Sequence, residues 1–259
     1  YSNTTGNNNT ASGYNALYSN TTGNYNSANG YQALYSNTTG THNTAVSTAL
    51  WGNTTGTNNV AVGYQSLNTN TSGGYNTAVG NHSLYSNTTG YNNTASGSSA
   101  LQSNTTGYNN IAVGKNALLS NTTGYSNVAL GKGALDSCTS GQSNTIVGTG
   151  AGEGITTGSN NVCIGTDSGA QGSMVNLVAA NDRAVFGSQA TTNAYVKVSW
   201  TVTSDERDKM NFADVPHGLS FVNSLQPIKF NFKKSRDNAT PHGNARYGFK
   251  AQDILALEG

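Results

Sequence analysis

Charge is the scarcest property of this 259-residue sequence. Acids and bases together make up 9% of it and leave a formal net charge of +1, where a globular domain usually carries about 25% charged residues. From Tyr1 to Leu135 the only charged side chains are Lys115 and Lys132, and the first acid is Asp136. A chain so close to neutral has no basic patch to hold phosphates, which argues against nucleic acid as a partner. Cysteine is nearly absent as well. Cys138 and Cys163 fall at different places in the pattern described below, as small buried residues would, and two cysteines make no disulfide framework. No apolar run approaches the roughly 20 residues that span a bilayer, so no membrane insertion is expected in this segment. His42, His82, His217 and His242 lack metal-ligand spacing and have no cysteine nearby, so no metal is expected. The 32 glycines include no phosphate loop at a strand–helix junction, and no cofactor is expected.

What is present is one polar phrase written repeatedly. The glycine closing each TTG-like turn recurs at 6, 23, 40, 56, 73, 90, 107, 124, 141 and 158, a spacing of 17 broken once by 16. Repeats of this length mark solenoids and related arrays. The shorter copy has Ser47 where others have glycine, and Leu50 follows it by three residues instead of four. This locates the deletion in the turn between them. Aligned copies give an alanine column (Ala11, Ala28, Ala45, Ala61 and onward), a neighbouring column rich in valine (Val46, Val62, Val79, Val113), and a leucine column from Leu17 to Leu135. Small and branched residues alternate with period two, as in a short strand. Gly, Asn and Thr in every copy exclude a helix. A disordered tract need not keep alanine and leucine in phase over ten copies. If each copy is one coil, the next lies about 4.8 Å above it, and like stacks on like in asparagine and threonine ladders. The apolar content of one coil is thin, so association of several chains around one axis would deepen the core. That motivates a homotrimer, although the columns do not fix the number three. The chain opens inside a repeat and is expected to be a piece of something longer.

Tyr18, Tyr35, Trp51 and Tyr85 share the position just after the leucine, and Tyr14, Tyr31 and Tyr64 share another. Such aromatics could contact glycan rings by their faces, or simply cap coil edges or fill a chain–chain interface. The NTT triplets match a glycosylation sequon, yet a tight turn also needs Asn and Thr. A regular Thr-rich face could order water, but here the Thr pair sits beside a turn glycine.

After Asp167 the repeat fades, and "AYVKVSWTV" (Ala194 to Val202) alternates as a strand does. From Ser204 onward come seven acids and eight bases, 15 of the 23 formal charges, which marks a domain boundary. The expected divisions are 1–169 as repeat shaft, 170–203 as connecting β region and 204–259 as a separate domain. In the last, "HGLSFVNSL" reads as a helix stopped before Pro227, and "IKFNF" as a strand.

Two resemblances follow. "NNVAVG" (Asn58 to Gly63), "NNIAVG" (Asn109 to Gly114) and "SNVALG" (Ser126 to Gly131) resemble the head repeats of trimeric autotransporter adhesins, and similar copies occur in phage tail-fibre proteins. That resemblance implies a parallel β-roll shared by three chains. The blocks "SDERDK", "GLSFVNSLQPIKF" and "YGFKAQD" resemble the N-terminal part of the endosialidase-type intramolecular chaperone. This second resemblance implies a small α+β domain that trimerises chains in register and then cleaves itself off between Thr203 and Ser204. It carries the nucleophile onto Ser204 and its activating base onto Lys209, at most a single-turnover reaction with no external substrate. The combined expectation is a mostly all-β chain, a homotrimeric parallel β-solenoid of about ten repeats ending in a partial chaperone domain. It would be a virion tail-fibre shaft that meets a host-cell surface receptor, a glycan being one candidate, and other tail or fibre proteins. The alternatives are a trimeric adhesin on a bacterial cell surface and a monomeric, water-ordering or otherwise structural solenoid.

Overall fold

A computed structural model of the chain describes residues 2–170, 177–188 and 190–191, and the backbone of 228–235 and 238–248. The chain divides into two compact units, Tyr1–Thr191 and Thr192–Gly259.

The first unit is a parallel β-solenoid. Its strands are three residues long: β1 (Thr10–Ser12), β2 (Ser27–Asn29), β3 (Thr44–Val46), β4 (Val60–Val62), β5 (Thr77–Val79), β6 (Thr94–Ser96), β7 (Ile111–Val113), β8 (Val128–Leu130), β9 (Thr145–Val147), β10 (Val162–Ile164) and β11 (Ala184–Phe186). They form one sheet in chain order, every neighbour parallel. The register puts each alanine on the next, Ala11 on Ala28 and Ala28 on Ala45. Ten steps at about 4.8 Å make a rod of about 48 Å. No helix occurs among the described residues.

Hydrogen bonds run from coil to coil outside the strands as well: Leu17 N–H donates to Ala33 O at 3.0 Å and Thr21 N–H to Thr38 O at 3.0 Å. Backbone groups that would be orphaned in a turn are thus satisfied by the same turn one copy on. The corners need unusual backbone. After every strand but β3 a glycine follows, and one such as Gly97, at φ 141°, enters a region that side-chain-bearing residues rarely adopt; a Cβ there would lie 2.6 Å from the Gly114 carbonyl carbon. The leucines turn the next corner in the left-handed region, for instance Leu84 at φ 49°.

The strand faces are inverted relative to their size. From the second rung on the alanines point inward and are fully buried, while the branched residues beside them stay half exposed, Val113 at 41% and Ile164 at 43%. The interior holds the Ala and Leu columns and two files of asparagine. In one, Asn87 Nδ2 donates to Asn70 Oδ1 at 2.8 Å and to Gly90 O at 3.0 Å. In the other, Asn93 donates its backbone N–H and its amide to Asn76 Oδ1 at 3.0 and 3.1 Å. Buried amides are tolerable here because each finds its own kind one coil away. The core therefore closes within one chain: Ala, Leu and Asn are buried with no second chain present. The thin-core argument for several chains thus does not hold, and a half-exposed branched stripe remains on the outer side of the sheet.

The one-residue deletion lies in the turn between Ser47 and Leu50. Ser47 takes the glycine position at φ 73°, and Ala49 and Leu50 return to full burial. An eleventh rung follows where the 17-residue spacing has faded. Val185 pairs with Cys163, and Asn181 Oδ1 accepts the Ser159 N–H at 2.8 Å, both across 22 residues. The extra length falls between Gly169 and Leu177.

In the second unit, β12 (Ile228–Ser235) pairs antiparallel with β13 (Asn238–Gly248), Ile228 opposite Gly248 and Lys229 opposite Tyr247, with register shifts beyond Phe230 and Lys233. The strand expected at "IKFNF" lies in β12. The helix expected over 217–225 and the strand expected over 194–202 lie outside the described residues.

Candidate binding surface

The surface of the rod carries aromatic files, produced by the same stacking that builds the core. Tyr18, Tyr35 and Trp51 form one continuous pile, with ring centroids 5.2 and 5.8 Å apart and planes within 5°. Tyr14 stacks on Tyr31 at 5.5 Å, and Tyr25 on His42 at 4.8 Å. In the first pile both faces of Tyr35 are covered by its neighbours. A sugar approaching it would meet ring edges and the phenol hydroxyl. Tyr85 shares the sequence position but stands apart, because Asn68 occupies the rung between it and Trp51. It packs edge-on against His82 at 5.4 Å, and His82 also meets Tyr64 edge-on and Gln65 by a 2.9 Å hydrogen bond.

A further pile was not singled out in the sequence: Tyr91, Tyr108 and Tyr125, with centroids 5.0 and 4.7 Å apart and planes within 5°. Its signal was there, three tyrosines at one repeat position in successive copies. Desolvation by the flanking rings, then the Tyr125 and Tyr91 phenols, push the Tyr108 hydroxyl above its usual value.

From Asn20 on, the NTT asparagines are internal. Asn37, Asn53, Asn87 and Asn104 are fully buried in the first asparagine file, so the triplet serves the turn here and not glycan attachment. The first threonine hydroxyl of each pair is also engaged, as Thr38 Oγ1 donates to Thr54 O at 3.1 Å and Thr54 Oγ1 to Thr71 O at 2.9 Å. Hydroxyls so committed cannot present a free donor array to water. Cys138 replaces an asparagine and Cys163 an alanine, both as buried free thiols. Burial pushes each thiol up to about 11, in Cys138 against the small opposing effect of the Gly141 carbonyl contact. Neither is set up as a nucleophile.

Among the described residues no group of His, Cys, Asp and Glu could hold a metal, and no helix is long and apolar enough to cross a membrane. Thr203, Ser204 and Lys209 lie outside the described residues.

Comparison with known proteins bears on that segment. Residues 204–257 match the family model for the chaperone of endosialidase. No curated protein and no solved structure matches the chain.

Proposed function

We propose that the chain is the shaft and register-setting end of a homotrimeric tail fibre of a virion, and that the shaft carries the surface by which the particle adsorbs to its host. The observation that carries this reading is the juxtaposition of a self-templating rod with a segment similar to the chaperone of endosialidase. Near-identical coils make one-coil slips between chains almost as favourable as correct alignment. A rod of this kind gains from a non-repeating domain that fixes the register. The half-exposed stripe, Val79, Ile111, Val113, Leu130, Ile164 and Phe186 among it, runs along one side of the sheet and gives several chains a common seam. The same stack suits a bacterial surface adhesin, given the resemblance of its rungs to adhesin heads. A monomeric solenoid is favoured by one observation alone, the core that closes within a single chain.

The chemistry proposed for Ser204 is internal. Its hydroxyl attacks the Thr203 carbonyl carbon while the Lys209 amine takes the hydroxyl proton. The amide bond to the Ser204 nitrogen breaks as that nitrogen is protonated, and water hydrolyses the resulting ester. Intact mass of the wild type and of Ser204→Ala tests it: cleavage in both removes the assignment.

The register function is tested by refolding the chain with and without residues 204–259 and imaging the rods. Uniform rods with the segment and ragged, slipped ones without it are expected. Equal uniformity in both would refute a register-setting role.

A further inference from the structure

The column that holds Tyr91, Tyr108 and Tyr125 has one missing member. Directly below Tyr91 it reads Gly74, and below that Thr57. Gly74 is the one position among the eleven rungs of this column without a side chain. The backbone does not demand it, since its φ is not left-handed, and a Cβ would sit 3.0 Å from Thr57 O, tight but not barred. The stack above repeats every 4.7 to 5.0 Å. Between Tyr91 and Thr57 two rungs pass, about 9.6 Å, so one ring-thick step is vacant. It opens as a hollow of about 520 Å³ lined by Thr57, Ser72, Gly74, Tyr75, Tyr91 and Asn92.

A second observation concerns hydrogen bonding. In three other rungs, where the residue at this position is Asn or Ser, its side chain accepts the N–H of the residue one coil below; under threonine and tyrosine that N–H has no acceptor among the described residues. Asn24 Oδ1 meets Asn7 N–H, Ser159 Oγ meets Gln142 N–H and Asn181 Oδ1 meets Ser159 N–H, at 2.6, 3.1 and 2.8 Å. Over Thr57 that side chain is Gly74, and among the described residues no group accepts the Thr57 N–H or pairs with Thr57 Oγ1, Ser72 Oγ or the Asn92 amide. The vacancy therefore lacks a ring against Tyr91 and an oxygen over Thr57. No charged residue lines it.

We propose that this hollow binds one neutral pyranose ring. Its C–H face lies on Tyr91, one hydroxyl takes the Thr57 N–H, and others pair with Ser72 and Asn92. The uncharged lining selects against sulfated, phosphorylated or acidic sugars. A flat aromatic would fill the step but make no hydrogen bond to the four polar groups, of which Ser72 and Asn92 are exposed and otherwise face water. Its use in adsorption rests on the fibre reading above, while its geometry does not.

The test uses the full chain and a panel of methyl pyranosides of glucose, galactose, mannose and N-acetylglucosamine, read by saturation-transfer NMR. Binding near 1 mM is expected for at least one member, as for a single stacked ring with few hydrogen bonds. Gly74→Tyr continues the pile into the slot and should abolish binding. Gly74→Ser, which supplies the missing oxygen, should weaken it severalfold and covers the case in which the tyrosine variant fails to fold. Tyr91→Ala should weaken it about tenfold, and Tyr18→Ala, in a separate pile, not at all. Absence of binding across the panel, or binding unchanged in folded Gly74→Tyr or Gly74→Ser, overturns the site. So does a change of native mass in the Gly74 variants, which would place the hollow in a chain–chain contact. A three-chain particle that binds no pyranoside overturns the site alone, and a single-chain particle that binds one overturns the fibre alone.

Discussion

The asparagine file can be interrupted at two places that differ only in what stands above. Asn87 sits mid-file: its amide donates to Asn70 Oδ1, and its own Oδ1 accepts from Asn104 at 2.8 Å. Asn121 sits at the top: its amide donates to Asn104 Oδ1 at 2.8 Å, but the next rung is Cys138, and Asn121 Oδ1 is left with no donor. Replacing either by alanine opens a similar void, since both are fully buried. Each also removes one donor to a glycine carbonyl that keeps a second, Gly90 O from Asn76 and Gly124 O from Asn110. The difference is in orphaned groups. Asn87→Ala strands two, the Asn70 oxygen and one Asn104 N–H. Asn121→Ala strands the Asn104 oxygen but removes an oxygen already stranded, a net change of zero. A buried unsatisfied polar group costs about 1–3 kcal/mol, so Asn87→Ala should be the more destabilising by about 2–6 kcal/mol. Guanidinium unfolding of the two variants side by side measures this. Equal losses, or a greater loss for Asn121→Ala, would refute the view that the file is held by reciprocal amide pairing.

Three other outcomes are expected. At Leu84 the left-handed backbone should invert the usual order of small residues: Leu84→Ala should cost about 2–5 kcal/mol for the void. Leu84→Gly should cost no more, because glycine escapes about 1 kcal/mol of strain. Calorimetry decides, and a clearly worse glycine variant would contradict it. The two thiols, raised from 9.0 to about 11, hold their protons in the fold after the unfolded chain has lost them. Their contribution is thus full below pH 9 and lost as pH rises to 11, with a steepest slope of about 1.4 kcal/mol per pH unit per thiol. Stability of the wild type relative to Cys138→Ala/Cys163→Ala should fall across that window, and a parallel pair of curves would remove the effect. On the stripe, Ile111→Asn with Val113→Asn should leave the circular dichroism of the rod intact yet weaken chain association by on the order of 1 kcal/mol per residue. An unchanged dissociation concentration would take the stripe out of the interface.

The period, the strand, the deletion site and the alanine and leucine columns were legible in the sequence, because a stack forces each residue to answer to its own copy. The orientation of the strand was not. Hydropathy puts Val113 inside and Asn110 outside, and the fold does the reverse at both. It can do so because an asparagine file satisfies itself, which no single copy reveals. The eleventh rung escaped because its step is 22 residues and its column reads Val185 where others read Ala, Ile or Cys. Aromatic placement was half legible. Tyr18, Tyr35 and Trp51 do come together, but shared repeat position alone could not separate Tyr85, since a single Asn68 breaks the pile. The vacancy at Gly74 was invisible for a related reason: among so many turn glycines, one that no turn requires does not stand out.

The most direct test of the fibre account is the native mass of the chain in solution, followed on dilution. The account predicts a particle of three chains, about 80 kDa from the 26.7 kDa chain, persisting as concentration falls. A monodisperse 26.7 kDa species would contradict it and leave a self-contained solenoid whose exposed stripe has no partner in its own kind.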